Sequence, residues 1–343
     1  MATKRINLAL QGGGAHGAFT WGALDRLLDE PGIEIAGLSG TSAGALNGAA
    51  VKAGLVQGSR AAAQDNLHWF WEQVGAITDP ALAPWLGAAA PAAISAAIEA
   101  SLPFAIGDGI GRMISPYATG PFYANPLERI VTRFHYDKVC AGDGPMLAIC
   151  ATNVRSGKIR VFQGAEITPL SLMASACLPT LFRAVEIEDP ATGRTEAYWD
   201  GGYTGNPALF PLFAPDLPAD IVVVNINPLW RDELPTSARA IQNRINEISF
   251  NASLLRELRA IAFVQRLIDE GRMDEGRMKR VLVHMISDDD LMRKLSVATK
   301  MVPVPAVLHQ LYEAGRSAAE TFLAKHIDAI GKTGSVDMAE MFG

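Results

Sequence analysis

Two hydrophobic rhythms alternate at the start of the chain. Residues 6–10 form a short, mostly apolar strand-like run that stops at Gly12-Gly13-Gly14. Phe19, Ala23, Leu24, Leu27 and Leu28 then recur at helical spacing as far as Asp29-Glu30-Pro31-Gly32. Residues 33–38 make a second strand-like run. Ser39-Gly40-Thr41-Ser42-Ala43-Gly44 follows, and then a helix of small residues through Ala50. This β-α-β order predicts parallel strands with right-handed crossovers and helices on both faces of the sheet. Strand signals return at residues 146–152, 159–162, 197–199 and 221–226, with a helix over residues 170–177.

From Thr236 the rhythm changes to that of long helices. Ile241, Ile245, Ile248, Leu255, Leu258 and Ala262 make one apolar stripe, with Arg and Glu on the opposite face. Residues 80–123 are rich in Ala, Pro and Gly and weakly periodic, which reads as an insertion over one end of the sheet: a lid, an acyl-chain wall or ordinary packing helices. The expected fold is therefore α/β, a three-layer α/β/α domain over residues 1–235 with a mostly parallel central sheet. A helical C-terminal extension, residues 236–343, packs on it.

Composition narrows the class. The 343 residues are 49% apolar and only 19% charged, enough for a sizeable core and against a disordered chain. A net charge of −6 argues against a general nucleic-acid binder. Cys140, Cys150 and Cys177 are odd in number and set among apolar residues, so they read as free thiols and not as a disulfide framework or zinc site. Asp288-Asp289-Asp290 lacks the ligand spacing of a calcium loop and reads as the cap of a helix from Leu291. The first apolar run is too short for a signal-peptide core. In residues 79–108 Glu99 is the only internal charge, but Ala, Gly and four prolines make a poor membrane span. A soluble, cytoplasmic protein is expected. His68-Trp69-Phe70-Trp71 reads as core, and the arginines between Arg231 and Arg280, interleaved with acids, as a solvated helix face.

The chemistry concentrates in three short stretches. Gly40-Thr41-Ser42-Ala43-Gly44 matches G-x-S-x-G between a predicted strand and a predicted helix, the setting of a nucleophile elbow. There the serine hydroxyl stands clear of the sheet and flanking glycines remove side chains that would clash; a capped Gly-rich turn is the plain alternative. Gly12-Gly13-Gly14-Ala15-His16-Gly17 ends the first strand, and its N–H groups can converge on an oxyanion or a phosphate. Gly12, Gly14 and Gly17 also satisfy G-x-G-x-x-G, so a dinucleotide-dependent oxidoreductase is a second reading. That fingerprint wants an acid at the far end of the second strand. Glu34 stands at its start and the far end runs into the serine turn, so the dinucleotide reading gives way.

The third stretch supplies a base. Among the six histidines His284 and His309 could serve in triad order, and both sit in helical surroundings without a strand-end loop. Asp200, in Trp199-Asp200-Gly201-Gly202, directly follows a predicted strand, from which its carboxylate can reach Ser42; a plain Asp-Gly turn is the alternative.

In order, the glycine loop, the serine turn and Asp200-Gly201-Gly202 resemble the three signature motifs of patatin-like phospholipases, and Ala174-Ser175 through Pro179 resembles a further family segment. The likeness spans residues 6–227, and the tail resembles the C-terminal extension of a bacterial subgroup. The resemblance implies a Ser–Asp dyad: Ser42 as nucleophile, Asp200 as base, the N–H groups around Gly12, Gly13 and Gly14 as oxyanion hole, and Gly40, Gly44, Gly201 and Gly202 as supports. It implies hydrolysis of lipid acyl esters, of phospholipase A type, with neither cofactor nor metal. Transient contact with a membrane surface and a homo-oligomer are compatible with it. A catalytically idle lipid-binding module is disfavoured by intact Ser42 and Asp200. One departure is His16, where the family often has Arg or Lys, so a fixed positive charge near the oxyanion is missing near neutral pH.

Overall fold

The computed structural model describes residues 3–75, 91–100, 115–274 and 276–342. Most of the expected insertion at 80–123, and of the stretch 79–108 weighed as a membrane span, lies outside the described residues. No described helix is long and apolar enough to cross a membrane.

The elements run β1 (Lys4–Leu10), α1 (Gly17–Asp29), β2 (Ile33–Thr41), α2 (Ala43–Gln57), α3 (Arg60–Gly75), α4 (Pro91–Ala100), β3 (Met146–Asn153), β4 (Ile159–Gln163) and α5 (Pro169–Ser175). They continue with β5 (Val185–Asp189), β6 (Arg194–Asp200), β7 (Asp220–Val224), α6 (Ala238–Asp269), β8 (Leu282–Ile286), α7 (Val297–Met301) and α8 (Pro305–His326). The sheet has the order β5-β6-β3-β2-β1-β7-β8, with β4 also on β3. β3, β2, β1, β7 and β8 are mutually parallel; β4 and β6 run antiparallel to β3.

Alternation along the strands builds the three layers. Leu8 and Leu10 of β1, with Val222 and Val224 of β7, join the core beneath α1, α2, α3 and α8. Ala9, Ile221 and Val223 point the other way, onto Leu254, Leu258 and Ile261 of α6. A strand buried on both faces shows a near-continuous apolar run, which is why β1 and β7 are legible in the sequence.

The C-terminal region is mainly helical, as expected, and it also contributes β8 to the sheet beside β7; the expectation of helical surroundings for His284 is corrected, because the residue lies fully buried in that strand. The run is only five residues long with a histidine at its centre, so neither helical nor alternating periodicity marks it. The apolar stripe of α6 is also divided. Leu258 is buried, whereas Ile241, Ile245 and Ile248 are about half exposed, at 43%, 53% and 55%. On those first turns the inward side is polar because it faces a cavity and an ion-pair cluster, not the sheet. Asp288 does cap the short helix at Leu291, accepting from its N–H at 2.9 Å.

The tail is tied to the first crossover helix. Tyr312 Oη donates to Asp25 Oδ2 at 2.8 Å, and Arg316 bonds both Asp25 and Asp29.

Candidate active site

β3 brings the two key residues together. On one edge it pairs with β2, Thr41 opposite Cys150. β4 occupies the other edge across Ala148–Thr152. β6 therefore adds beyond the end of β2, with Asp200 opposite Ala151. Two antiparallel strands thus finish head to head on adjacent residues of one template, and Ser42, the residue after Thr41, meets Asp200.

Ser42 has φ 54° and ψ −124°, and it is the only non-glycine residue at positive φ among the described residues. Such a conformation costs on the order of 1–3 kcal/mol and persists only where its surroundings enforce it. The enforcement is visible. Ser42 N–H donates to Ser175 Oγ at 2.9 Å, and Ser175 Oγ–H donates to the Cys150 carbonyl at 2.6 Å. A Cβ on Gly44 would stand 2.1 Å from the Leu10 carbonyl oxygen, and one on Gly40 2.6 Å from the Gly44 backbone, so the turn closes only with glycine at both places. α2 starts at Ala43, setting the positive end of its dipole beside the serine.

Asp200 is fully buried. Gly202 N–H donates to its Oδ1 at 2.7 Å, while among the described residues Oδ2 has no hydrogen-bond partner. Burial pushes the carboxyl pKa up to about 7, against the smaller downward pull of the Gly202 N–H and the nearby Ser42 hydroxyl. A buried acceptor left over beside a serine is a group held ready for a proton.

The glycine loop divides its donors. Gly12 N–H is already taken, donating to Asn206 Oδ1 at 2.6 Å. The N–H groups of Gly13 and Gly14 have no partner among the described residues and border the cavity that holds Ser42 and Asp200. A carboxamide network missed in the sequence clamps the loop. Asn206 and Asn227 donate to the Gly12 carbonyl at 3.3 and 3.0 Å, and Gln11 Oε1 accepts from Ile226 and Asn227 N–H at 2.8 and 3.0 Å. Gln11 Nε2 reaches Asn251 of α6 at 3.1 Å. These residues come from four separate segments; Gln11 and Asn227 follow strand-end apolar runs, whereas Asn206 in a loop and Asn251 inside α6 carry no such signal.

His16 is buried. The Thr299 hydroxyl donates to Ser296 O at 2.8 Å and so accepts from His16 Nε2–H, also at 2.8 Å. Burial, and then the charge of Lys300, hold the His16 pKa well below its ordinary value, so the ring is neutral. The triad-order histidines stay away. His284 bonds Asp220 and Ser335 at 3.0 and 3.1 Å, His309 is exposed, and neither lines the cavity.

The cavity measures about 560 Å3. One wall is apolar: Leu46, Phe70, Trp71, Val74, Leu181 and Phe182; the other carries Gln242, Asn243 and Asn246 of α6. Phe70 and Trp71 are core residues, as expected, and they also form this wall; Trp71 is fixed by its Nε1–H to Asn47 Oδ1 at 2.9 Å.

A three-layer α/β sandwich with a strained serine turn at the C-terminal end of a central strand is the class of protein that this fold and site define. The chain belongs to the patatin-like phospholipase family, whose model matches residues 8–213, and so stands among lipid acyl hydrolases. Of solved structures, the crystal structure of VipD from Legionella pneumophila is similar at 13% identity, covering 95% of this chain and 67% of that one, with a TM-score of 0.37. No curated protein sequence matches the chain.

Proposed function

We propose that the chain hydrolyses lipid acyl esters through an acyl-enzyme on Ser42, with Asp200 as its base, in a phospholipase A type of reaction. Ser42 Oγ attacks the ester carbonyl carbon while its proton passes to Asp200 Oδ2, and the carbonyl electron pair moves onto oxygen. Gly13 and Gly14 N–H receive that oxyanion; such a donor is worth about 3 kcal/mol in the transition state. Gly12 shapes the loop instead of donating. Collapse expels the alcohol, which takes the proton from Asp200. Water then attacks the acyl-enzyme, yields its proton to Asp200, and the acid departs as Ser42 regains a hydrogen.

The observation that carries this reading is the unpartnered, buried Oδ2 of Asp200 at the head-to-head junction with Ser42. An ordinary aspartate, with a pKa of about 3.9, is a feeble base toward an alcohol; a carboxyl near 7 is matched to neutral pH. The apolar wall suits an acyl chain, and the cavity lies in the range of about 300–1,000 Å3 usual for small-molecule sites. The test is hydrolysis of aryl esters, lysophospholipids and diacyl phospholipids by wild type, Ser42→Ala and Asp200→Asn, with fluorophosphonate labelling of Ser42. Both variants are expected to lose turnover, and label is expected on Ser42 alone. Undiminished hydrolysis by Ser42→Ala would refute the proposal.

A further inference from the structure

The second wall of the cavity holds a cation that the proposed chemistry has not used. Lys300, the fourth residue of α7, lines the cavity next to Gly13 and Gly14. Its backbone abuts the loop so closely that a Cβ on Gly14, at φ 57°, would lie 2.4 Å from the Lys300 carbonyl oxygen. Its Nζ donates to Asn227 Oδ1 at 2.6 Å, and the same carboxamide donates to the Gly12 carbonyl at 3.0 Å. The ammonium therefore sits one carboxamide away from the glycine loop.

The carboxylate that attracts it is shared with two arginines. The acid that faces it, Glu247 of α6, is held by Arg231 at 2.6 and 2.8 Å and by Arg244 at 3.1 Å. Among the described residues Lys300 forms no ion pair of its own. His16, on the loop side, is neutral. Glu247 thus divides its charge among Arg231, Arg244 and Lys300, and among the described residues the charged ones that line the cavity are Lys300 and Asp200. A buried lysine that has only a share of one carboxylate is stabilised when a further anion forms nearby.

We propose, on the basis of the hydrolase reading above, that Lys300 supplies the positive field that stabilises the oxyanion at Gly13 and Gly14. It acts as a positioning residue through Asn227 and the loop, without touching the reacting atoms. The C-terminal region thereby completes the site.

The pH profile exposes the role. Burial lowers the Lys300 pKa to about 8, with Glu247 pulling it up and Arg231 down; Asp289 also faces Glu247. Rate should therefore rise through pH 7 as Asp200 ionises and fall through pH 8 as Lys300 loses its proton.

The experiment is kcat and KM for a soluble aryl ester from pH 5 to 10, with unfolding temperature measured alongside, for wild type, Lys300→Met, Lys300→Arg and Ser42→Ala. Lys300→Met is expected to lower kcat about 10- to 100-fold with little change in KM, and to lack the alkaline limb. Lys300→Arg should keep near-wild-type kcat at pH 7 and hold it to pH 10, because guanidinium stays charged. Wild-type kcat in Lys300→Met, or an alkaline limb unchanged in Lys300→Arg, would overturn the inference. If Lys300→Met fails to fold, the arginine variant's alkaline limb decides. Activity in Ser42→Ala would defeat the hydrolase reading itself, whereas an inert Ser42→Ala beside indifferent Lys300 variants would defeat only the role of Lys300.

Discussion

Replacing Asp200 with asparagine separates what the carboxylate does for the reaction from what it does to the fold. The substitution keeps an acceptor for Gly202 N–H and deletes the charge. Burial raises the folded-state pKa to about 7, while an unfolded chain titrates near the ordinary aspartate value of about 3.9. Between those values the folded protein binds the extra proton, so stability falls as pH rises through the window and levels off above it. About three pH units at about 1.4 kcal/mol each amount to about 4 kcal/mol. Denaturant unfolding of wild type and Asp200→Asn from pH 4 to pH 9 measures it. The two proteins should be nearly equal in stability at pH 4, and the variant should be the more stable by about 4 kcal/mol above pH 7. Glu257, pushed up to about 7 by burial, and the lowered His16 and Lys300 titrate in both proteins and cancel in the difference. The same variant should be inactive at every pH. A stability difference that does not move with pH would refute the assignment of Asp200 as a desolvated base.

Two other substitutions probe the frame around the dyad. Ser175→Ala removes the hydroxyl that joins Ser42 N–H to the Cys150 carbonyl; it should cost about 1–3 kcal/mol in unfolding and at least about tenfold in kcat. Unchanged kcat and unfolding temperature would show that the elbow does not need this clamp. His284→Ala strips the buried Asp220 of a partner 3.0 Å away and should lower stability by about 2–3 kcal/mol, leaving kcat per folded molecule within about twofold. A folded but inactive His284→Ala enzyme would mean that a histidine, not Asp200 alone, serves the serine.

Strands buried on both faces, such as β1, β2, β3 and β7, announce themselves by apolar runs whatever their neighbours are. The serine turn is legible for a similar reason: Gly40 and Gly44 are demanded by contacts within one strand-turn-helix unit, and at Gly44 by the adjoining β1. β8 escaped notice because five residues around a buried histidine carry no period. In α6 the stripe through Ile241, Ile245 and Ile248 is a true helical period, yet these three side chains are about half exposed. Periodicity marks a face, but only the neighbours determine whether that face meets core or solvent.

Local sequence, then, determined the α/β alternation, the strained turn at Ser42, the glycine loop and Asp200 at a strand end, since each depends on residues near one another along the chain. Tertiary structure decided the rest. The edge of β3 that takes β6, the carboxamides of Asn206 and Asn227 that occupy Gly12, backed by those of Gln11 and Asn251, and the arrival of Lys300 beneath Gly14 all depend on segments tens to hundreds of residues apart. Burial and hydrogen bonding at such junctions arise from the sum of all the packed surfaces, and no stretch of sequence contains that sum.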